Sequence, residues 1–159
     1  MGTQQILLIV LSVIIVGIAV AVGITMFQSQ AVNQNRQAII ADMNNMASEA
    51  MAYYKTPTSH GGAGSPSGWN ATDVTLGDLE SWLSYKDWTS ATDFETDNGF
   101  YALGTTTDSL VISGVGTEDG NAGSITWDKG QTPTNATDGN VAAELTVSPT
   151  GNITTAIKN

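Results

Sequence analysis

The chain has 159 residues, a formal net charge of -10 and only five basic residues. A protein that binds nucleic acid through phosphate contacts needs a basic patch, and these residues are too few to build one. The absence of cysteine excludes disulfides, thiolate zinc sites and covalently attached haem. The length is that of one domain, and the low charge density with many Thr, Ser, Gly and Asn residues indicates an exported, surface-exposed protein.

The first element is an apolar run from Ile6 to Phe27, and the first charge in the chain is Arg36. The run is too long for a signal peptide, whose apolar core has roughly 7–15 residues after a basic start. It is long enough to cross a bilayer, which takes about 20 residues, but it lacks the flanking Lys or Arg of an ordinary anchor. A third alternative is a helix that is held in lipid and later packs against copies of itself.

The helix is predicted to continue through residues 28–55 with apolar side chains on one stripe, because apolar residues recur there at spacings of three and four. Polar residues, Asn35 and Asp42 among them, take the other face. No proline precedes Pro57, which ends the helix. The predicted stripe consists of Val32, Ile39, Ile40, Met43, Met46, Ala47, Ala50, Met51 and Tyr54. This stripe needs a partner along one side, such as a small sheet, whereas residues 1–27 need lipid or other subunits on every side.

Residues 56–159 are predicted to form a head with a Gly/Ser-rich loop, a short helix and an antiparallel β-sheet. Thr75 stands three residues before Asp78, a capping-box-like start for the helix in "TLGDLESWLSYKDW". Turn residues separate five apolar-rich runs, which predict four or five strands: "GFYALGT", "SLVISGV", "GSITWDK", "AAELTVS" and "NITTAIK". The fold class is therefore α+β, with a long N-terminal helix packed on a small antiparallel sheet.

Three segments carry a resemblance to a known family: "MGTQQILLIVLSVIIVGIAVAVGI", "NRQAIIADMNNMASEAMAYYKTP" and "GGAGSPSGW". Together they resemble a bacterial type IV pilin in its mature form, without its leader. The resemblance is specific over residues 1–68 and only architectural beyond them. It implies that residues 1–27 anchor the subunit in the membrane before assembly and form the filament core afterwards, while residues 28–55 pack on the head.

The N-terminus departs from the family pattern at the fifth position. Family members often carry Glu there, which pairs with a neighbour's N-terminal amine, but this chain has Gln5. We expect an amide contact from Gln4 or Gln5 to replace that ion pair, with Met1 as the mature N-terminus; the alternative is that Met1 is an initiator. An uncompensated amine in an apolar core is costly, so N-methylation or local water at Met1 is expected.

The common mid-helix proline of the family is also missing, which leaves Gly17 and Gly23 as the weak points of the apolar helix. Each glycine costs about 1 kcal/mol relative to Ala inside a helix. In hydrocarbon an unpaired backbone amide costs more than this, so the segment stays helical there. We expect residues near Gly17 to Gly23 to be helical in the membrane and extended or loosened in the filament.

Few residues predict chemistry. His60 is the only histidine, so neither a catalytic triad nor a usual zinc site can be assembled around it. Asp93, Glu95 and Asp97 in "DFETDNG" alternate like the first three ligands of a calcium loop. The glycine comes one position late and no Glu follows at position twelve, so a solvated acidic turn is the alternative.

Three Asn residues match the N-x-S/T glycosylation pattern, namely Asn70, Asn135 and Asn152. O-linked sugars on Thr and Ser are an equal alternative without a readable motif. The four tryptophans (Trp69, Trp82, Trp88 and Trp127) are scattered along the sequence. We therefore expect them in the head core or at partly buried surface rather than in a ligand platform.

The sequence thus predicts the major structural subunit of an extracellular type IV pilus, which is not an enzyme. Its expected partners are identical subunits in a helical homopolymer, the inner membrane before assembly, and the pilus assembly machinery, with no nucleic acid. Two alternatives remain open. One is a membrane-anchored surface module for adhesion or binding, and the other is a minor pseudopilin of a secretion system.

Overall fold

A computed structural model of the protein describes residues 2–69, 74–85, 93–106, 108–119 and 140–157. The elements in chain order are α1 (Thr3–Lys55), a 3-10 turn (Thr58–His60), α2 (Leu76–Leu83), β1 (Asp93–Thr96), β2 (Gly99–Thr105), β3 (Leu110–Asp119), β4 (Asn140–Val147) and β5 (Ile153–Ile157). This confirms the predicted α+β fold with a long N-terminal helix on an antiparallel sheet.

The chain divides into two compact units, Met1–Gln34 and Asn35–Asn159. Helix α1 contributes to both, and the boundary between the units lies further along the helix than the predicted change at Phe27. The second unit contains the sheet and all of the buried side chains that the structure describes. We refer to it as the head.

The apolar stripe of the head's part of α1 is buried, as its spacing predicts. Its buried residues are Ile39, Met43, Met46, Ala47, Ala50, Tyr53 and Tyr54. Ile40 and Met51, which the predicted stripe included, are only half-buried, whereas Tyr53 was omitted and is buried. The true stripe is therefore rotated slightly toward Tyr53.

The sheet is a five-stranded antiparallel meander in the order β1-β2-β3-β4-β5. Two glycines of β3 let α1 lie close to it. A Cβ at Gly114 would stand 2.9 Å from both Ile39 Cγ2 and Met43 Sδ, and one at Gly116 would overlap the side chain of Asn35. Because contacts this short are not sustained by real Cβ atoms, β3 has no room for larger residues where the helix crosses it.

Four of the five predicted strands are confirmed as β2, β3, β4 and β5, and the fifth, "GSITWDK", lies outside the described residues. Strand β1 was not predicted, because the two acidic residues of "DFET" favour a turn or a calcium loop. It pairs with β2 from Asp93 opposite Ala102 to Thr96 opposite Gly99. The actual turn is only Asp97 and Asn98.

The predicted short helix is confirmed with its cap. Thr75 is the N-cap of α2, and its hydroxyl oxygen accepts a hydrogen bond from the Asp78 backbone N–H at 3.2 Å. The helix ends at Leu83, earlier than the quoted segment, because Ser84 takes the left-handed conformation with φ of 55°.

A polar network fastens the β1–β2 hairpin to α1. One carboxylate oxygen of Asp42 accepts hydrogen bonds from the Tyr101 hydroxyl at 2.9 Å, the Asn98 side-chain amide at 2.9 Å and the Thr96 hydroxyl at 3.2 Å. The Asn35 amide donates to the Asn98 carbonyl at 2.9 Å. Asn35 and Asp42 were predicted to face away from the packed stripe, and this is wrong, because they lie four residues before and three residues after the buried Ile39 and so share its side of the helix.

Candidate functional site

The first candidate site is the apolar segment of α1, which we define as residues Ile6 to Phe27. Its large side chains are all exposed, with exposed fractions from 51% at Val10 to 74% at Phe27. Length and composition make this a helix that could cross a membrane, and nothing in the described chain covers it. Since a soluble chain does not leave such a run in water, the segment requires an apolar partner.

The polar side chains within the apolar segment are satisfied by the helix itself. Ser12 Oγ donates to the Ile9 carbonyl at 2.8 Å, and Thr25 Oγ1 donates to the Val22 carbonyl at 2.9 Å. No other side chain from Ile6 to Phe27 has an N–H or O–H group. The segment therefore brings no unpaired side-chain polar group into lipid or into an apolar protein environment.

Small residues create two notches on this segment. Gly17 and Ala21 lie four residues apart, as do Ala19 and Gly23, and the two pairs are offset by about 200° around the helix at 3.6 residues per turn. A Cβ added at either glycine would meet nothing within 4 Å. Small residues at this spacing let the backbones of neighbouring helices approach closely, so the segment can receive neighbours on two opposite sides.

The N-terminal assembly residues are only partly described. Gln5 lies in the first turn of α1, and its backbone N–H donates to the Gly2 carbonyl at 2.9 Å. Met1 lies outside the described residues, so its contact with a glutamine amide stays a prediction. Helix α1 runs unbroken through Gly17 and Gly23.

The three predicted calcium ligands are placed on the hairpin. Asp93 and Glu95 belong to β1 and Asp97 to the turn that follows, but the Asp93 side chain is outside the described residues. Among the side chains that are described, no three His, Asp or Glu groups gather as metal ligands do. The calcium site stays a prediction, now on a strand and a tight turn instead of an open loop.

Of the three glycosylation patterns, only Asn152 lies in the described chain. It is exposed in the turn between β4 and β5, where its backbone N–H donates to Ser148 Oγ at 3.0 Å. Asn70 and Asn135 fall outside the described residues. His60 is exposed in the 3-10 turn beside Ser59, with its Nδ1 3.0 Å from Ser59 Oγ.

Two tryptophans pack against adjacent tyrosines at the end of α1. Trp69 is fully buried against Tyr54, with ring centroids 4.6 Å apart, and confirms the expectation of a core residue. Trp82 is 39% exposed and lies 5.8 Å from the ring of Tyr53. The sequence did not predict this second pair, because 29 positions separate its members (82 minus 53) and no local pattern links them. Trp88 and Trp127 lie outside the described residues.

The second candidate site is the cavity beside that second pair. It has a volume of about 470 Å³ and is lined by Tyr53, Gly61, Gly62, Asp78, Ser81 and Trp82. Burial raises the pKa of the Tyr53 hydroxyl, and the charge of Asp78 raises it further. Asp78 and the two rings border the same cavity.

Comparison with known proteins adds no relative, since no family model, no curated protein and no solved structure matches this chain. The likeness to type IV pilins thus depends on the residues quoted for it. The function has to be argued from the surfaces of the molecule.

Proposed function

We propose that the protein is the major structural subunit of an extracellular type IV pilus and that it assembles through its apolar segment. The observation that carries the proposal is the complete exposure of that segment in a helix whose later residues are buried on one stripe by the chain's own sheet. Such a helix is adapted to be covered by something other than its own head.

The free energy of the apolar segment permits it to move reversibly between two apolar environments. Burying a Val, Leu or Ile side chain is worth roughly 1.5–3 kcal/mol relative to exposing it, so the segment is never left in water. Lipid and a core of packed helices are comparably apolar, and transfer between them is nearly neutral. Close packing of neighbouring helices along the rest of the segment then tips the balance toward the filament.

The partners follow from this mechanism. The inner membrane holds the subunit before assembly, the pilus assembly machinery extracts it, and identical subunits cover its apolar segment in a helical homopolymer. Function lies in assembly and not in catalysis, and the acidic head has no role with nucleic acid.

Negative-stain electron microscopy of material sheared from producing cells tests the proposal. We expect long thin fibres that contain this chain, identified by its mass. A plain membrane anchor is the second candidate, which the bilayer-spanning length of the segment favours. If the chain stays in the membrane fraction and no fibre contains it, the anchor replaces the pilus subunit.

A minor pseudopilin makes a different prediction in the same experiment. Fibres would form, but this chain would be a trace component of them. The ratio of this chain to total fibre protein therefore separates a major from a minor subunit.

A further inference from the structure

The cavity beside Tyr53 and Trp82 is a largely open depression of the surface, bordered by α1, α2 and a short loop. Its volume of about 470 Å³ falls within the roughly 300–1,000 Å³ of small-molecule pockets. The end of α1 supplies Tyr53, and α2 supplies Asp78, Ser81 and Trp82. These last three are spaced i, i+3, i+4 and so share one face of α2, while Leu79 and Leu83 anchor the helix in the core.

The third wall is a short loop held by backbone hydrogen bonds. Gly61 takes the left-handed conformation with φ of 82°, and its N–H donates to the Thr58 carbonyl at 3.1 Å. A Cβ at Gly62 would lie 2.3 Å from the Thr56 carbonyl oxygen, so only glycine fits there. Because Gly61 and Gly62 have no side chains, the loop borders the cavity with backbone atoms only.

The two rings form an aromatic corner. Their centroids are 5.8 Å apart and their planes are tilted by 59°, and Trp82 is the ring that remains accessible. Tyr53 is only 2% exposed, and the packed core fixes its position, whereas Trp82 is 39% exposed. A half-exposed tryptophan beside a fixed ring is available to a ligand without any rearrangement of the core.

A carboxylate stands at this corner and is held in place. Asp78 Oδ2 accepts a hydrogen bond from the Thr75 hydroxyl, which in turn accepts from the Asp78 backbone N–H. This closed pair of bonds restricts the rotamer of the carboxylate. None of the six lining residues is basic, and the chain as a whole carries a net charge of -10.

Charge and ring chemistry together select the ligand class. The negative faces of Trp and Tyr attract a cation within about 6 Å of the ring centroid, and a nearby carboxylate adds a Coulomb attraction. An anion meets repulsion from both. We propose that the head binds an alkylammonium cation in this corner, with its alkyl groups on the exposed part of the Trp82 ring and its charge beside Asp78. The site lies wholly within the head, and it does not depend on whether the chain polymerises.

The test uses the full chain in maltoside micelles, whose headgroups carry no ammonium. The indole N–H signals of its four tryptophans are followed by NMR, and the Trp82 signal is identified by its loss in Trp82→Phe. The probe is choline, and its matched neutral control is 3,3-dimethylbutan-1-ol, which replaces the nitrogen by carbon. Sodium chloride balances the ionic strength.

We expect choline to shift the Trp82 signal saturably and the neutral alcohol to bind about fivefold to thirtyfold more weakly, as the loss of a cation–π contact predicts. Asp78→Asn should weaken choline binding by about fivefold or more. Asp108→Asn removes the same charge from an exposed loop outside the cavity and should leave binding unchanged.

Trp82→Leu keeps an apolar wall without a π face, and it should abolish saturation transfer from the protein to the choline methyl groups. This variant keeps the proposal testable if Asp78→Asn fails to fold. Equal binding of choline and the alcohol would overturn the proposal in favour of a merely apolar cavity. A saturable shift with glucose and none with choline would overturn it in favour of a saccharide site, and no shift with any probe would also overturn it.

Discussion

Helix α1 contains two stretches that differ in what covers their apolar side chains, one from Ile6 to Phe27 and one from Asn35 to Lys55. The later stretch is apolar on one stripe, and the rest of the head buries that stripe. The earlier stretch is apolar all round, and its side chains are exposed. The spacing of apolar residues along a helix thus indicates how many sides of the helix a partner must cover. A helix that is apolar on every side needs partners from outside its own chain.

The largest expected effect comes from deleting the exposed stretch and keeping the buried one. Deletion of Ile6 to Phe27 should leave a folded head that is monomeric in water, because all described buried side chains lie beyond the deleted segment. Sedimentation velocity and circular dichroism of the truncated chain measure this, with the full chain in detergent as the control. A truncated head that still polymerised would show that the apolar segment does not drive assembly.

A single charge in the exposed stretch should have the next largest effect. Ile14→Asp or Val20→Asp places a carboxylate without a partner among apolar helices, which costs several kcal/mol in every subunit. We expect fibres to disappear from micrographs while the spectrum of the head is unchanged. Ile14→Leu is the matched control and should form fibres normally. Normal fibre yield from both charged variants would contradict the proposed helix core.

In the covered stretch, Asp42→Ala should destabilise the head by about 2–4 kcal/mol. The substitution leaves the buried Tyr101 hydroxyl and the Asn98 amide without their acceptor, and an unpaired buried donor costs roughly 1–3 kcal/mol. Urea unfolding of the full chain in maltoside micelles provides the measurement. Glu49→Ala, an exposed carboxylate on the same helix, should change the midpoint little. Similar losses for both variants would mean that charge, and not the hairpin network, is responsible.

The same network predicts a loss of stability at alkaline pH. Burial raises the pKa of Tyr101 well above its usual value, and the neighbouring Asp42 also raises it, whereas a hydrogen bond with Thr96 opposes them. Above about pH 10 the unfolded chain releases this proton and the folded chain retains it, so the free energy of unfolding falls by up to about 1.4 kcal/mol per pH unit for this group. Below pH 10 its contribution is fully present.

Urea midpoints at pH 9, 10 and 11 measure that slope. Tyr101→Phe should flatten it, although Tyr53, Tyr54 and Tyr85 also have raised pKa values, mainly through burial, and keep part of it. An unchanged slope in Tyr101→Phe would assign the alkaline loss to the other tyrosines.

The smallest expected effect concerns the glycines of the exposed stretch. Gly17→Ala with Gly23→Ala introduces no clash in the free chain and favours the helix by about 1 kcal/mol per position. We expect filaments of the natural sequence to show loosened helix between these residues and the double variant to form less extensible fibres. A filament map with continuous helix from Ile6 to Tyr54 would refute this, and the double variant should then assemble unchanged.

Local patterns in the sequence predicted most of the fold but little of what joins its parts. The stripe of α1, the cap at Thr75 and strands β2 to β5 follow from periodicity and turn residues, which act over a few positions. Strand β1 forms because β2 pairs with it, against the turn-like character of Asp93 and Glu95. The Asp42 network depends in the same way on a hairpin more than 50 positions away.

The two candidate sites differ in the same way, since one follows from a local pattern in the sequence and the other does not. The apolar segment can be predicted from the sequence because its apolar composition alone identifies it. The aromatic corner was not predicted because Tyr53 lies on α1 and Trp82 on α2, and no local pattern in the sequence links the two positions. Their meeting is decided by how α2 packs on α1.

The hydroxyls of Ser12 and Thr25 have a kinetic consequence. Both donate to carbonyls of their own helix, so Ser12 keeps its bond on the proposed route from bilayer to filament, whereas Thr25 keeps its bond to the Val22 carbonyl only while that turn stays helical. The activation barrier for extraction then has no contribution from the Ser12 hydroxyl, and its hydrogen-bond part lies in the stretch near Gly17 to Gly23. A subunit that returns from the filament to lipid has to re-form the helix in that stretch.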